Sequence, residues 1–192
     1  LATVIPIRVT ERAQALASEV LNSGDIAIDA TAGKGRDTAF LAQTVGPIGW
    51  VHSFDIQPDA INSTRNLLEV SGLINRVTLH ERSHAELTES LPDSHRGKIA
   101  VAIFNLGYLP GSDQKIITQP ESTAIALESA LTELKSGGRL ICVAYTGHPG
   151  GKEESDVVQT FAESAENAGN IVEKIGYAVH QPKPWILVVT KR

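Results

Sequence analysis

Two stretches of the chain carry residues whose types and spacing suit chemistry. The first is Asp29-Ala30-Thr31-Ala32-Gly33-Lys34-Gly35-Arg36-Asp37. Gly33 and Gly35 let the backbone turn tightly and approach a ligand closely. About 20 residues further on stands Asp55, at a spacing from which a carboxylate accepts hydrogen bonds from ribose hydroxyls. Thr38 occupies the place of the third glycine of a dinucleotide fingerprint, which speaks against a nicotinamide cofactor. Each feature also has a plain reading, the glycines as an ordinary turn and Asp55 as a cap for a helix opening at Pro58. Together they favour a nucleoside ligand.

The second stretch is Asn105-Leu106-Gly107-Tyr108-Leu109-Pro110. This stretch resembles the place where Rossmann-like enzymes that methylate amino groups carry an Asn or Asp, prolines and an aromatic residue. In-line transfer of a methyl group requires the acceptor lone pair to point at the methyl at near-attack distance. The Asn105 side-chain oxygen suits that task by accepting an N–H bond, and Tyr108 suits stacking on a planar base. A protonated amine must first lose a proton, for which His148, in Gly147-His148-Pro149-Gly150-Gly151, is the candidate base. The alternative role for His148 and Tyr108 is that of loop anchors.

A third segment, His80-Glu81-Arg82-Ser83-His84, matches the H-E-x-x-H zinc signature. That signature works on a helix, where residues four apart share a face. Here His80 continues Val77-Thr78-Leu79, a strand pattern, so no metal site is expected, and Ser83 and His84 are placed at the edge of an adenine pocket.

The elements that must position these residues follow from periodicity. A helix starting near Thr10 as N-cap carries Ala13, Leu16, Ala17 and Val20 on one face and closes at Gly24. Strand Ile26–Ile28, a helix over 36–45 and strand Trp50–Phe54 follow, with Asp55 at the strand's carboxyl end. Pro58 opens a helix stopped by Gly72, and Val77–Leu79 is a short strand. Ile99–Phe104, nearly all apolar, reads as a parallel strand covered on both faces. A helix from Pro120 to Leu134 leads through Gly137-Gly138 to strand Arg139–Tyr145. A helix over 153–168 and strands Ile171–Tyr177 and Trp185–Thr190 complete the chain. Alternating helices and strands predict an α/β fold: a mostly parallel seven-stranded Rossmann-like sheet, helices on both faces and a C-terminal antiparallel hairpin, in a single domain over 1–192. Trp50 and Cys142 read as core.

Composition sets the outer bounds. With 192 residues, 42% hydrophobic and 20% charged, the chain suits one well-buried core. No apolar run reaches the roughly 20 residues of a membrane helix, so no membrane partner is expected. The net charge of −5 excludes a broadly basic nucleic-acid coat but permits a local basic rim. The single cysteine excludes an internal disulfide framework and points to a reducing compartment. The absence of methionine implies processing or trimming, so the expected location is the cytoplasm or, after removal of a targeting segment, an organelle stroma or matrix.

Taken together, Asp29 to Gly33, Phe54-Asp55-Ile56-Gln57, Ala102 to Pro110 and Gly147 to Gly151 resemble the YtqB-like family once labelled rRNA methylases, from about Thr10 to the C-terminus. This family includes MnmM-type tRNA methyltransferases acting on 5-aminomethyl-uridine at the wobble position. The resemblance implies a methyltransferase dependent on S-adenosylmethionine (SAM). It implies that Lys34, Asp37, Asp55, Gln57, Ser83 and His84 contact SAM and that Asn105, Tyr108 and His148 flank the acceptor. Asp29, Thr31, Ala32, Gly33, Gly35, Ile56 and Asn105 complete the expected cofactor-binding set. It further implies an RNA substrate, the tRNA anticodon loop, and a homodimer. Lys34, Arg36 and Ala85 depart from the Asn, His and Glu usual in the pattern. Ribosomal RNA or a small-molecule amine is the alternative substrate; a binding module without catalysis, or an oxidoreductase on a similar sheet, is the alternative function.

Overall fold

A computed structural model of the chain describes residues 8–107, 118–147, 150–177 and 184–192. In these, helix α1 (Val9–Ser18) leads to β1 (Ile26–Asp29), α2 (Arg36–Val45), β2 (Trp50–Asp55), α3 (Pro58–Val70) and β3 (Val77–Glu81). A short turn of helix, α4 (Leu87–Ser90), precedes β4 (Ile99–Asn105), and α5 (Pro120–Glu133), β5 (Leu134–Ala144), α6 (Gly151–Asn167), β6 (Ile171–Ile175) and β7 (Trp185–Thr190) follow. The seven strands form one sheet in the order β3-β2-β1-β4-β5-β7-β6. Strands β1 to β5 pair in parallel, and β7 inserts antiparallel between β5 and β6. This is the expected Rossmann-like arrangement, including the antiparallel end.

The period-two alternation of the central strands divides the core. Val101 and Ile103 of β4 join Ala27, Val51, Ile141 and Val143 under α1, α2 and α3. Ala102 and Phe104 face the other way, with Ile28, Phe54 and Cys142, under α4, α5 and α6. Ile99 to Phe104 are fully buried, as a strand sandwiched between two helical layers must be. Every crossover thus returns the chain with its strand ends on one edge, and the order reverses between β1 and β4, where such sheets hold ligands.

Several boundaries differ from those read in the sequence. The first helix begins at Val9, and the Glu11 carboxylate accepts the Arg8 backbone N–H at 3.2 Å, so Thr10 lies inside the first turn and is not the cap. Strand β5 starts at Leu134, ahead of Gly137-Gly138. Leu134 pairs with Ile99 and Arg139 with Val101, leaving a bulge that contains both glycines. A side chain at Gly138 would come within 2.8 Å of the Ile99 carbonyl, so the bulge closes only around glycine. Trp50 is half-buried, not core, and donates its indole N–H to Thr78 Oγ1 at 2.9 Å. No helix among the described residues is long and apolar enough to cross a membrane.

Candidate active site

At the switch between β1 and β4 the turn after β1 is laced to its neighbours. Ala30 donates its N–H to the Ile103 carbonyl at 2.9 Å, and Ala32 to the Phe54 carbonyl at 2.8 Å. The Asp55 carboxylate accepts the backbone N–H groups of Gly33 (2.9 Å) and Gln57 (3.0 Å). Thr31 Oγ1 accepts the Asn105 backbone N–H at 2.8 Å, joining the turn to the end of β4. Above this lattice lies a cleft of about 570 Å³. Thr31, Ala32, Gly33, Lys34, Asp37, Asp55, Ile56, Gln57, Ser83, His84 and Asn105 all line it.

Asp29 and Gly35, also read as ligand contacts, do not line the cleft. The Asp29 side chain is fully buried and accepts from the Thr31 N–H at 3.1 Å and from Thr38 Oγ1 at 2.5 Å, while Thr38 Oγ1 also lies 2.8 Å from Ser53 Oγ. Burial, with the nearby Asp37 charge second, pushes Asp29 up to about 7. It stiffens the turn from behind. Gly35 caps α2 at φ 78°, and a Cβ there would stand 2.9 Å from Thr64 Cα. The close approach it permits is to α3.

Ser83 caps the short turn after β3, its hydroxyl accepting from Ala85 N at 3.2 Å. His84 is 8% exposed, and its Nδ1 lies 3.2 Å from the Ala30 carbonyl. A carbonyl only accepts, so Nδ1 carries the proton. Burial lowers the His84 pKa, and the neutral ring presents Nε2 as an acceptor, an atom with no partner among the described residues. His80 points elsewhere: its Nε2 lies 3.1 Å from His52 Nδ1 and its ring stacks on Phe54 at 4.3 Å. The two imidazoles of the H-E-x-x-H match therefore serve different places. No group of three His, Cys, Asp or Glu among the described residues is arranged to hold a metal ion.

Also lining the cleft, Asn105 donates from Nδ2 to the Asp37 carboxylate, whose second oxygen accepts Gln14 Nε2 at 2.7 Å. Asn105 Oδ1 is buried and has no partner among the described residues. Burial raises the Asp37 pKa, partly offset by these two hydrogen bonds and by Arg36. Tyr108 and His148 lie outside the described residues.

Sequence reasoning missed Tyr145, which lines the cleft just beyond β5 with its phenol raised by burial and by the Asp37 charge. Its place at the carboxyl end of a parallel strand was the available signal. It also missed the buried Glu154 of α6, which accepts from Thr118 Oγ1 and Thr123 Oγ1, each at 2.7 Å. Thr118 Oγ1 in turn accepts the Gly107 N–H at 3.0 Å. This ties α6 to the Asn105-Leu106-Gly107 loop, a link between distant positions with no local signature.

The family described as "Putative rRNA methylase" matches residues 51–191. The chloroplastic tRNA (mnm(5)s(2)U34)-methyltransferase of Arabidopsis thaliana is 41% identical over 162 residues, covering 80% of this chain and 58% of that protein. The chain thus spans a little over half the length of that relative. The crystal structure of a "putative rRNA-methylase" from Clostridium thermocellum is 34% identical, covers 98% of this chain and 100% of its own, and superposes with a TM-score of 0.90. A "putative methyltransferase" from Streptococcus mutans in complex with SAH is 32% identical at a TM-score of 0.84, with coverage of 98% and 100%. With the motifs of the cleft, these matches establish that the chain belongs to the family described as rRNA methylases.

Proposed function

We propose that this chain is a SAM-dependent N-methyltransferase of RNA that methylates the 5-aminomethyl group of wobble uridine in tRNA. The observation that carries the reading is that one cleft is lined both by the ribose-type carboxylate Asp55 beside the Gly33 turn and by Asn105, whose side-chain oxygen has no partner among the described residues. The residues fit SAM. One buried acceptor, His84 Nε2, lacks a partner among the described residues, and a buried polar atom of that kind calls for a ligand or ordered water. Each Asp55 oxygen, already accepting one backbone N–H, keeps acceptor capacity for ribose hydroxyls. Lys34 is exposed at the rim, where its ammonium suits the cofactor carboxylate.

When bound, SAM supplies a methyl group on a positively charged sulfur. The chain's part is orientation. Asn105 Oδ1 accepts one N–H of a neutral acceptor amine, which aims the nitrogen lone pair along the axis of transfer. The nitrogen that takes the methyl from the sulfur would release one proton to solvent. Arg36 and Arg82 on the cleft wall supply a local positive rim for phosphates in a chain of net charge −5. An anticodon loop presents unstacked bases, so a cleft of this size reads one without melting a duplex.

The Arabidopsis relative's tRNA substrate supports tRNA, and its chloroplastic designation supports an organelle stroma as the place of action. The homodimer that the resemblance implies belongs to the same reading. The family's description favours ribosomal RNA as the second reading. Calorimetric titration with SAM and NAD, followed by SAM turnover with total tRNA, ribosomal RNA and small amines, tests the proposal. Binding of NAD in place of SAM, or turnover only with small amines, contradicts it.

A further inference from the structure

We propose that Gln14, Asp37 and Asn105 form a positioning chain that locks the Asn105 amide with its nitrogen held by Asp37, so that its oxygen is the end left for the acceptor. The role of that lock in turnover rests on the methyl-transfer reading above; the lock itself does not.

The two ends of an Asn amide are nearly the same size, and rotation about the last side-chain bond exchanges them at little steric cost. Only one orientation serves. An oxygen facing the acceptor amine accepts its N–H and leaves the lone pair free, whereas an NH2 group there donates to that lone pair and competes with the methyl. Asp37 settles the choice, because both its oxygens serve as acceptors, one for Gln14 Nε2 and one for Asn105 Nδ2. It takes the nitrogen end of Asn105, and Oδ1 is left buried and without a partner among the described residues.

Asp37 is itself held. Its other oxygen accepts Gln14 Nε2 at 2.7 Å, and Gln14 sits on α1, a helix whose Ala13, Leu16 and Ala17 are packed into the core. Three elements remote in sequence, α1, α2 and β4, thus set one side-chain angle. Both Gln14 and Asp37 precede residue 51, where the family match begins. The chain also gives Asp37 a role other than the SAM contact that the resemblance implies.

The test is a comparison of side-chain amide signals in 15N-labelled full-length protein, with Asn105→Ala identifying the Asn105 pair. The wild-type pair should be displaced downfield and slow to exchange with solvent. In Asp37→Asn, whose single amide oxygen cannot accept from both Asn105 and Gln14, it should move toward the position of an unrestrained Asn amide; Gln14→Leu should shift it part of the way. With aminomethyl-bearing tRNA, Asp37→Asn should lower kcat on the order of a hundredfold with SAM affinity unchanged. Adding Asp37→Asn to Asn105→Ala should cost nothing further, as expected of residues acting as one unit. An Asn105 signal that stays in place in both Asp37→Asn and Gln14→Leu overturns the proposal. So does loss of SAM affinity with unchanged kcat in Asp37→Asn, which returns Asp37 to the cofactor. Wild-type protein that methylates no amino-bearing RNA overturns the functional reading alone, and the amide signals still decide the lock.

Discussion

The Asp55 carboxylate accepts the Gly33 backbone N–H at 2.9 Å, fastening the end of β2 to the turn that follows β1. The same group that the proposed function turns toward a ribose therefore also shapes the turn. Asp55→Ala should weaken SAM binding about 10- to 100-fold, the range expected for a charge-assisted hydrogen bond. It should also cost about 1–2 kcal/mol of stability, because the Gly33 and Gln57 N–H groups lose their acceptor. Calorimetry and thermal unfolding read the two effects separately. Undiminished SAM affinity in folded Asp55→Ala would remove the residue from the site.

His52 bridges two other histidines, its Nδ1 3.1 Å from His80 Nε2 and its Nε2 2.8 Å from His95 Nδ1. Burial, then the two neighbouring rings, pushes His52 down to about 3; burial, then Arg82, pushes His80 down to about 4. The unfolded chain, with imidazoles near pH 6.5, takes up protons that the folded chain refuses. Stability from these groups is therefore complete above about pH 6.5 and is lost as the pH falls toward 3. Asp29, raised to about 7, acts in the opposite sense: its contribution falls as the pH rises from about 4 through 7. The difference between wild type and His52→Val isolates His52, since Asp29 and His80 titrate in both. In urea unfolding, the wild-type advantage should shrink between about pH 7.5 and pH 5. A constant difference contradicts the assignment.

The His80-to-His84 segment should bind no zinc, because His80 turns to His52 and Phe54 while His84 turns to the Ala30 carbonyl. Elemental analysis of protein prepared without chelator checks this. Stoichiometric zinc that disappears in His84→Ala would show that the segment rearranges around a metal.

What the sequence made legible was local. The bounds of α2 and β7 and the place of Asp55 follow from periodicity and from a carboxylate ending an apolar run. The cleft was legible to the same extent, since strand order brings the segments after β1, β2, β3 and β4 to one edge. Long-range pairing was not legible. The bulge at Gly137-Gly138 depends on β4, Gly35 is required by Thr64 of α3, and Gln14 looks like any polar helix residue until Asp37 is brought beside it. The bridging role of His52 is of the same kind, set by two partners far along the chain.

The most direct test of the central claim is transfer of labelled methyl from SAM into three RNAs: tRNA bearing 5-aminomethyl-uridine at the wobble position, the same tRNA without that group, and ribosomal RNA. Label is expected in the first alone, with Asn105→Ala retaining SAM binding and losing on the order of a hundredfold in rate. Label in ribosomal RNA with none in the aminomethyl tRNA would contradict the substrate, and full activity of Asn105→Ala would contradict the chemistry assigned to the cleft.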